Sequence, residues 1–142
     1  MRIRIGKNMI VIIIVILSVI LPVVLIATAY VESSVIVDNE QIRITGRYGE
    51  SIPIEQLNQV FLADTLPAIT MRTNGIAIGA IRKGYFRSGS LQRNVKLQLH
   101  SRSAPFLYII YGENDKHVIL NFRNPEKTLE VYEQLKGLVR NE

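Results

Sequence analysis

The first 31 residues constrain the fold more than any other part of the sequence. Asn8 to Val31 carries no charged residue and is almost wholly aliphatic. A helix over this run is roughly 36 Å long at about 1.5 Å per residue, which exceeds the roughly 30 Å hydrocarbon core of a bilayer. The sequence therefore predicts a transmembrane helix over residues 9–31, preceded by a basic segment at residues 1–8.

The same segment also has the layout of a secretory signal. A basic start and an apolar stretch are followed by Ala27-Thr28-Ala29, which matches the small residues of a cleavage region. The length of the apolar stretch favours an uncleaved anchor, and cleavage after Ala29 is the alternative.

Charge asymmetry predicts the orientation of this segment. Three cations precede it and acids follow it: Arg2, Arg4, Lys7, then Glu32, Asp38 and Glu40. Since positive charge stays on the cytoplasmic side, we expect a single pass through the plasma membrane, with residues 32–142 outside the cytoplasm.

Residues 32–142 have the length of one domain. The chain has no cysteine and two histidines, His100 and His117. A disulfide framework and a thiolate zinc site are therefore excluded, and we predict neither a cofactor nor a metal.

Most of this domain shows the alternation of β-strands. Ser34–Val37 and Gln41–Thr45 flank the turn Asp38-Asn39-Glu40 and predict a hairpin, and Pro53 indicates an edge strand. Val95-Lys96-Leu97-Gln98-Leu99-His100 alternates strictly, which predicts a half-buried strand with its polar residues in solvent.

Three further patterns complete the domain. Phe106–Tyr111 is apolar throughout and predicts a central strand, paired as a hairpin with the strand that begins at His117. Asn124-Pro125-Glu126 is a helix start with an asparagine cap, and the helix should reach about Arg140. Its expected apolar stripe consists of Leu129, Tyr132, Leu135, Leu138 and Val139.

The predicted fold is thus mainly β with one C-terminal α-helix. We expect an antiparallel barrel of about seven strands capped by that helix, with a small sandwich as the alternative.

The stretch Leu66 to Gly89 has a composition of its own. It holds four glycines and no acid. Asn74-Gly75 is the preferred two-residue hairpin turn, which makes Gly79, Gly84 and Gly89 candidates for bulges, close approaches or other turns. No phosphate-binding motif is present, and the spacing of Gly75 and Gly79 lacks the apolar host of a transmembrane dimer motif.

This stretch also carries a resemblance. Leu66-Pro67, Met71-Arg72-Thr73-Asn74-Gly75, Gly79 and Lys83-Gly84-Tyr85-Phe86-Arg87 resemble the core of the bacterial pleckstrin-homology-like domain family. The similarity continues through Ile119–Phe122 and Asn124–Thr128 and covers roughly residues 34–140. It implies a pleckstrin-homology-like fold. Because Asp38-Asn39-Glu40 would repel phosphate, phosphoinositide binding is not expected.

Charge is segregated in the domain. The segment between Asp64 and Glu113 has seven basic residues and no acid, whereas the rest of residues 33–142 has eleven acids against seven bases. Such a field attracts an anionic partner. The candidate binding surface consists of Arg72, Asn74, Gly75, Gly79, Arg82, Lys83, Gly84, Phe86, Arg87, Arg93 and Lys96.

From these features we expect a non-catalytic binding or scaffolding module of the cell envelope. A protein partner added at a strand edge is the first hypothesis, and an anionic lipid or envelope polymer is the second. A small-molecule enzyme is the third, because no partner for catalysis is placed beside His100 or His117. Too few aromatic residues lie among the bases for nucleic acid to be expected.

Overall fold

A computed structural model describes residues 6–140. The chain divides into two compact units, Met1–Val31 and Glu32–Glu142. Arg2 and Arg4 of the predicted basic segment lie outside the described residues.

The first unit contains a single helix, α1 (Lys7–Ala29), which tolerates Pro22 in its interior. Its 23 residues have a mean hydropathy of 3.5 over the most apolar window, so it is long and apolar enough to cross a membrane. The predicted helix is confirmed to within two residues at each end. Its orientation stays a prediction.

The second unit contains nine strands and one helix among its described residues. These are β1 (Val35–Val37), β2 (Gln41–Ile44), β3 (Glu50–Pro53), β4 (Leu57–Ala63), β5 (Ile69–Ile78), β6 (Ile81–Ser88), β7 (Arg93–Leu99), β8 (Phe106–Tyr111), β9 (Lys116–Leu120) and α2 (Pro125–Lys136). A short 3-10 turn, Ile54–Gln56, joins β3 to β4.

The strands form two sheets. One has three antiparallel strands in the order β1-β2-β3, and the other has six in the order β4-β8-β9-β7-β6-β5. Across residues 6–140 neither order closes on itself, so the domain is mainly β, as predicted, but is not a closed barrel. The strand number is nine rather than about seven.

One strand pair departs from the predicted antiparallel pattern. β9 lies between β8 and β7, and it runs parallel to β7 with Leu97 opposite Ile119. The cause is the β8–β9 hairpin, which enters the sheet as a unit and sets the direction of β9.

Several local predictions are confirmed. β1 and β2 pair around the Asp38 turn, with Val37 opposite Ile42. β3 ends at Pro53 and is the edge of its sheet, where a missing N–H costs no ladder bond. All six residues of β8 are buried between β4 and β9.

The six-stranded sheet carries apolar side chains on both faces. The first core joins this sheet to the three-stranded sheet and to α2, through Ile42, Ile44, Ile52, Leu57, Leu107, Ile109, Tyr111, Val118, Leu120, Phe122, Val131 and Leu135. The second lies on the opposite face and consists of Phe86, Val95, Leu97, Leu99, Phe106, Tyr108 and Ile119. A sheet covered on both sides needs apolar residues at successive positions, as β8 shows.

Helix α2 begins as its sequence predicts. The Oδ1 atom of Asn124 accepts a hydrogen bond from the N–H of Glu126 at 3.0 Å. The stripe is displaced from the expected one, because Thr128 and Val131 are buried while Leu129 is 44 % exposed. The placement of Leu129 on the stripe was therefore wrong; the Thr128 hydroxyl is buried because it accepts the N–H of Phe122 at 3.1 Å.

The cap gives a first prediction. In a protein of residues 32–142, Asn124→Ala should lower the free energy of unfolding by about 1 kcal/mol. The substitution removes the side-chain acceptor for the N–H of Glu126, which has no partner within the helix. Urea denaturation followed by circular dichroism measures this change. Gln134→Ala, at an exposed position of the same helix, is the control and should change stability by less than about 0.5 kcal/mol. Equal effects of the two substitutions would contradict the capping role.

Candidate functional site: the edge strand β5 and a buried polar cluster

The stretch from Leu66 to Gly89 forms the β5–β6 hairpin. Its turn lies at Gly79-Ala80, between Ile78 and Ile81, and not at Asn74-Gly75. Gly79 has φ of 58°, the left-handed conformation that such a turn requires and that glycine adopts without steric cost. The predicted Asn74-Gly75 turn was therefore wrong.

Gly75 lies within β5, directly opposite Gly84 of β6, where the two strands approach each other closely. A Cβ atom on Gly84 would come within 2.6 Å of the Cα of Gly75 and would collide with the carbonyl oxygen of Asn74. Gly84 also has φ of 119°. The two glycines therefore permit a close crossing of β5 and β6, and neither forms an open loop.

The structure distributes the predicted surface residues over three environments. Arg72, Asn74, Gly79 and Arg87 are exposed; Gly75, Arg82 and Arg93 are half-buried; Lys83, Gly84, Phe86 and Lys96 are buried. Phe86 belongs to the second core. Lys83, Gly84, Phe86 and Lys96 therefore do not lie on an accessible surface, which differs from the sequence-based expectation.

The polar side of β7 explains the burial of Lys96. Lys96, Gln98 and His100 were expected in solvent, but they are 6 %, 1 % and 4 % exposed. Two segments cover them: one precedes β1, and the other comprises the residues before β3 and the first residue of that strand. Together with Ser33 and Glu50 from these segments, the three residues form what we call the polar cluster.

Lys96 makes the strongest contacts in this cluster. Its Nζ pairs with the Glu50 carboxylate, lies 3.4 Å from the carbonyl oxygen of Gly49, and is 4.8 Å from the centre of the Tyr85 ring. Burial works against the charged amine, but the hydrogen bonds to Glu50 and Tyr85 outweigh it and raise the pKa of Lys96.

Gln98 joins both covering segments to the sheet. Its Oε1 accepts a hydrogen bond from the Ser33 hydroxyl at 3.1 Å, and its Nε2 donates to the carbonyl oxygen of Tyr48. A buried amide with its acceptor and one donor satisfied fixes the position of both neighbours.

His100 is held neutral in the cluster. Its Nε2 accepts a hydrogen bond from the backbone N–H of Ser33, with 3.3 Å between the two nitrogen atoms, which assigns the ring proton to Nδ1. Nδ1 is buried without a hydrogen-bond partner among residues 6–140. Burial, followed by the nearby charge of Lys83, lowers the pKa of His100 to about 4.

Glu32 extends these contacts toward α2. Its carboxylate accepts the backbone N–H of Arg123 at 2.8 Å and lies 3.4 Å from the Nζ of Lys127. Burial raises the pKa of Glu32, but the Arg123 hydrogen bond and the charge of Lys127 outweigh it, so the net shift is downward. These contacts connect the segment before β1 to β7 and to the start of α2.

The histidines do not form a catalytic pair. β7 and β9 are parallel with Gln98 opposite Leu120, so His100 and His117 lie five residues apart along the sheet, or roughly 16 Å. The Nδ1 of His117 is 2.7 Å from the carbonyl oxygen of Asp115. Within the described part of the chain, no three histidine, aspartate or glutamate side chains lie together as metal ligands.

The accessible groups of the basic region lie around β5. This strand is at the edge of the six-stranded sheet, and each of its ten residues is exposed or half-buried. Between residues 6 and 140, β6 is the one strand that pairs with it. Every second residue of an antiparallel strand directs its N–H and C=O away from its neighbour, so β5 offers unused backbone groups to solvent.

Two other arginines of the region are tied to loops. Arg93 donates to the carbonyl oxygens of Asn114 and Asp115, and Arg102 donates to that of Gly79 at 3.1 Å. They stabilise the loops that flank the sheet.

Comparison with protein-family models, curated proteins and solved structures gives no match for this chain. The resemblance to the pleckstrin-homology-like family stays a prediction.

The glycine crossing gives a second prediction. Gly84→Ala should lower the free energy of unfolding by about 1–3 kcal/mol, because the added methyl group forces β5 away from β6. Gly137→Ala is the control, since a Cβ there meets no atom within 4 Å. Urea denaturation of residues 32–142 compares the two. If Gly84→Ala were as stable as the wild type, the two strands would have enough space at this position for a methyl group.

His100 gives a third prediction, which concerns pH. Between about pH 4 and 6.5 the unfolded chain protonates His100 and the folded chain does not, so folding loses stability as the pH falls. At about 1.4 kcal/mol per pKa unit, the loss from this residue is about 3 kcal/mol.

The measurement is the free energy of unfolding of residues 32–142 at pH 7 and pH 4, beside His100→Gln. The wild type should lose more stability than the variant by about that amount. His117→Gln, at the other and half-buried histidine, is the control for the substitution itself. An equal loss of stability between pH 7 and pH 4 in all three proteins would mean that folding does not lower the pKa of His100.

Proposed function

We propose that this protein is a membrane-anchored, non-catalytic binding module of the bacterial cell envelope, with a pleckstrin-homology-like domain that binds a protein partner at β5. The observation that carries the proposal is the open edge of β5. A ten-residue edge strand with accessible side chains is the feature of this domain best suited to recognition.

The mode of binding that fits this edge is strand addition. An extended peptide pairs with the free N–H and C=O groups of an edge strand and gains affinity from the main chain, while the neighbouring side chains select its sequence. The bulges between Ile69 and Met71 and between Arg72 and Asn74 distort one half of β5. The other half, Asn74–Ile78, pairs with β6 in regular register and is the better docking site.

The membrane helix supports an extracytoplasmic position for this site. The cations before α1 and the acids after it favour a cytoplasmic N-terminus. The domain then meets proteins and polymers of the envelope, and the phosphoinositides of a cytoplasmic surface are not its ligands.

The second candidate function is recognition of an anionic lipid or envelope polymer. The observation that favours it is the accessibility of Arg72, Arg82 and Arg87 in a region without acids. It ranks lower because the burial of Lys83 and Lys96 removes two of the seven charges that suggested it.

A cysteine experiment tests the proposal, because the chain has no cysteine of its own. A membrane-impermeant maleimide carrying a photoactivatable group is added to spheroplasts with Ala77→Cys on β5 or Glu130→Cys on α2; both positions are exposed. Both variants should be labelled, whereas Lys7→Cys should be labelled only after lysis. On irradiation, Ala77→Cys should give an adduct with one protein and Glu130→Cys should not.

Other results would redirect the proposal. Labelling of Lys7→Cys in intact spheroplasts reverses the orientation. Adducts of Ala77→Cys with lipid alone favour the second candidate, and identical adducts from β5 and α2 remove β5 as the binding site.

A further inference from the structure

We infer that the strand which adds to β5 carries acidic side chains, so that the partner of this domain presents an extended acidic segment. The inference rests on the proposed function and specifies the chemistry of its partner.

The charges beside the edge all have one sign. Arg72 belongs to β5 itself, Arg82 lies opposite Ala77, and Arg87 lies opposite Met71 in the β5–β6 pair. Since the sequence has no acid between Asp64 and Glu113, no acid of this segment neutralises them. An added strand would lie within reach of these arginines.

Small side chains on β5 open the way for the arginines of β6. Cross-strand partners share a face of the sheet, so Arg82 lies on the same face as Ala77, whose side chain is a single methyl group. Neighbouring strands are about 4.8 Å apart, and the long arginine side chain can extend past the alanine toward a strand on its far side. Carboxylates suit this arrangement, because guanidinium groups bind them in a planar, bidentate manner.

The two faces of the edge differ in charge. Arg72 lies opposite Phe86, and Arg82 lies opposite Ala77, so both arginines share one face of the hairpin. Arg87 is on the other face. A strand with acids at alternate positions therefore meets two arginines on one face, one near the middle of β5 and one near its C-terminal end.

Charge also argues against a second copy of this chain as the occupant. Pairing β5 with the β5 of another molecule would bring the arginines of the two copies near each other, and like charges disfavour such a pair. The two bulges add to this protection, since bulges and edge charges are the devices that prevent sheets from joining edge to edge. The charges thus disfavour pairing of β5 with a second copy of β5 and favour pairing with an acidic strand.

The test uses the full chain in lipid discs of phosphatidylcholine. The probes are three nine-residue peptides that alternate valine or threonine with glutamate, with glutamine or with lysine. Fluorescence anisotropy gives their affinities at low and high salt. We expect the glutamate peptide to bind about tenfold more tightly than the glutamine peptide at low salt, as a few exposed charge pairs allow, and the difference to shrink at high salt.

Variants locate the contact. Arg72→Gln/Arg82→Gln, which removes the two arginines of one face, should remove most of the preference for glutamate. Arg43→Gln/Arg47→Gln removes the same charge from exposed positions outside β5 and β6, and should keep the preference. Hydrogen exchange of residues 69–78 should slow when the glutamate peptide binds, because strand addition protects the backbone amides of the edge.

Three other results would contradict the acidic preference, the location of the contact or strand addition itself. Equal binding of the glutamate and glutamine peptides overturns the acidic preference and leaves strand addition intact. Binding of the glutamate peptide without slower exchange in β5, or binding unchanged in the Arg72→Gln/Arg82→Gln variant, overturns the inference in favour of unspecific charge attraction. No peptide binding at about 1 mM, whether or not discs with phosphatidylglycerol bind the free domain, overturns both the inference and strand addition.

Discussion

The domain depends on the burial of the polar side of β7. Lys96, Gln98 and His100 alternate with apolar residues, and a strand of this kind has to satisfy its buried polar groups to fold. Their partners come from the segments that contain Ser33 and Glu50. Two kinds of contact therefore attach the three-stranded sheet to the six-stranded sheet. Apolar side chains of the first core pack between them, and polar contacts join the start of β3 and the residues before it to β7.

Polar contacts of this kind fix geometry more than they add stability. A partly buried ion pair such as Lys96 with Glu50 gains little net free energy, because desolvation offsets most of the attraction between the charges. Breaking one partner is costly, however, since the other charge stays buried. The cluster thereby holds Ser33 and Glu50 in one register against β7, which an apolar contact would define less strictly. It also keeps Lys96, Gln98 and His100 buried.

With the polar side of β7 covered, the accessible cations of the basic region lie at the β5 edge of the sheet, where we propose that recognition takes place. β5 was part of the stretch that sequence analysis singled out, and Arg72, Arg82 and Arg87 were among its candidate residues. The same analysis missed that Lys83 and Lys96 are buried. The signal for Lys96 was weak but present, because Glu50 is an acid three residues before Pro53, which indicates an edge strand. Alternation alone cannot tell a solvated polar face from one covered by another segment.

The sequence by itself determined the features that depend on local physics. These are the helix of residues 7–29, the hairpin around Asp38, the buried strand β8 and the asparagine cap of α2, because length, turn chemistry and capping act within a few residues. Only the tertiary structure decided where Asn74-Gly75 lies, how β9 enters the sheet, and which cations are exposed. Those outcomes depend on contacts between distant segments, such as Gly75 with Gly84 across the hairpin and Glu50 with Lys96 between the sheets, and a single sequence does not reveal which segments meet.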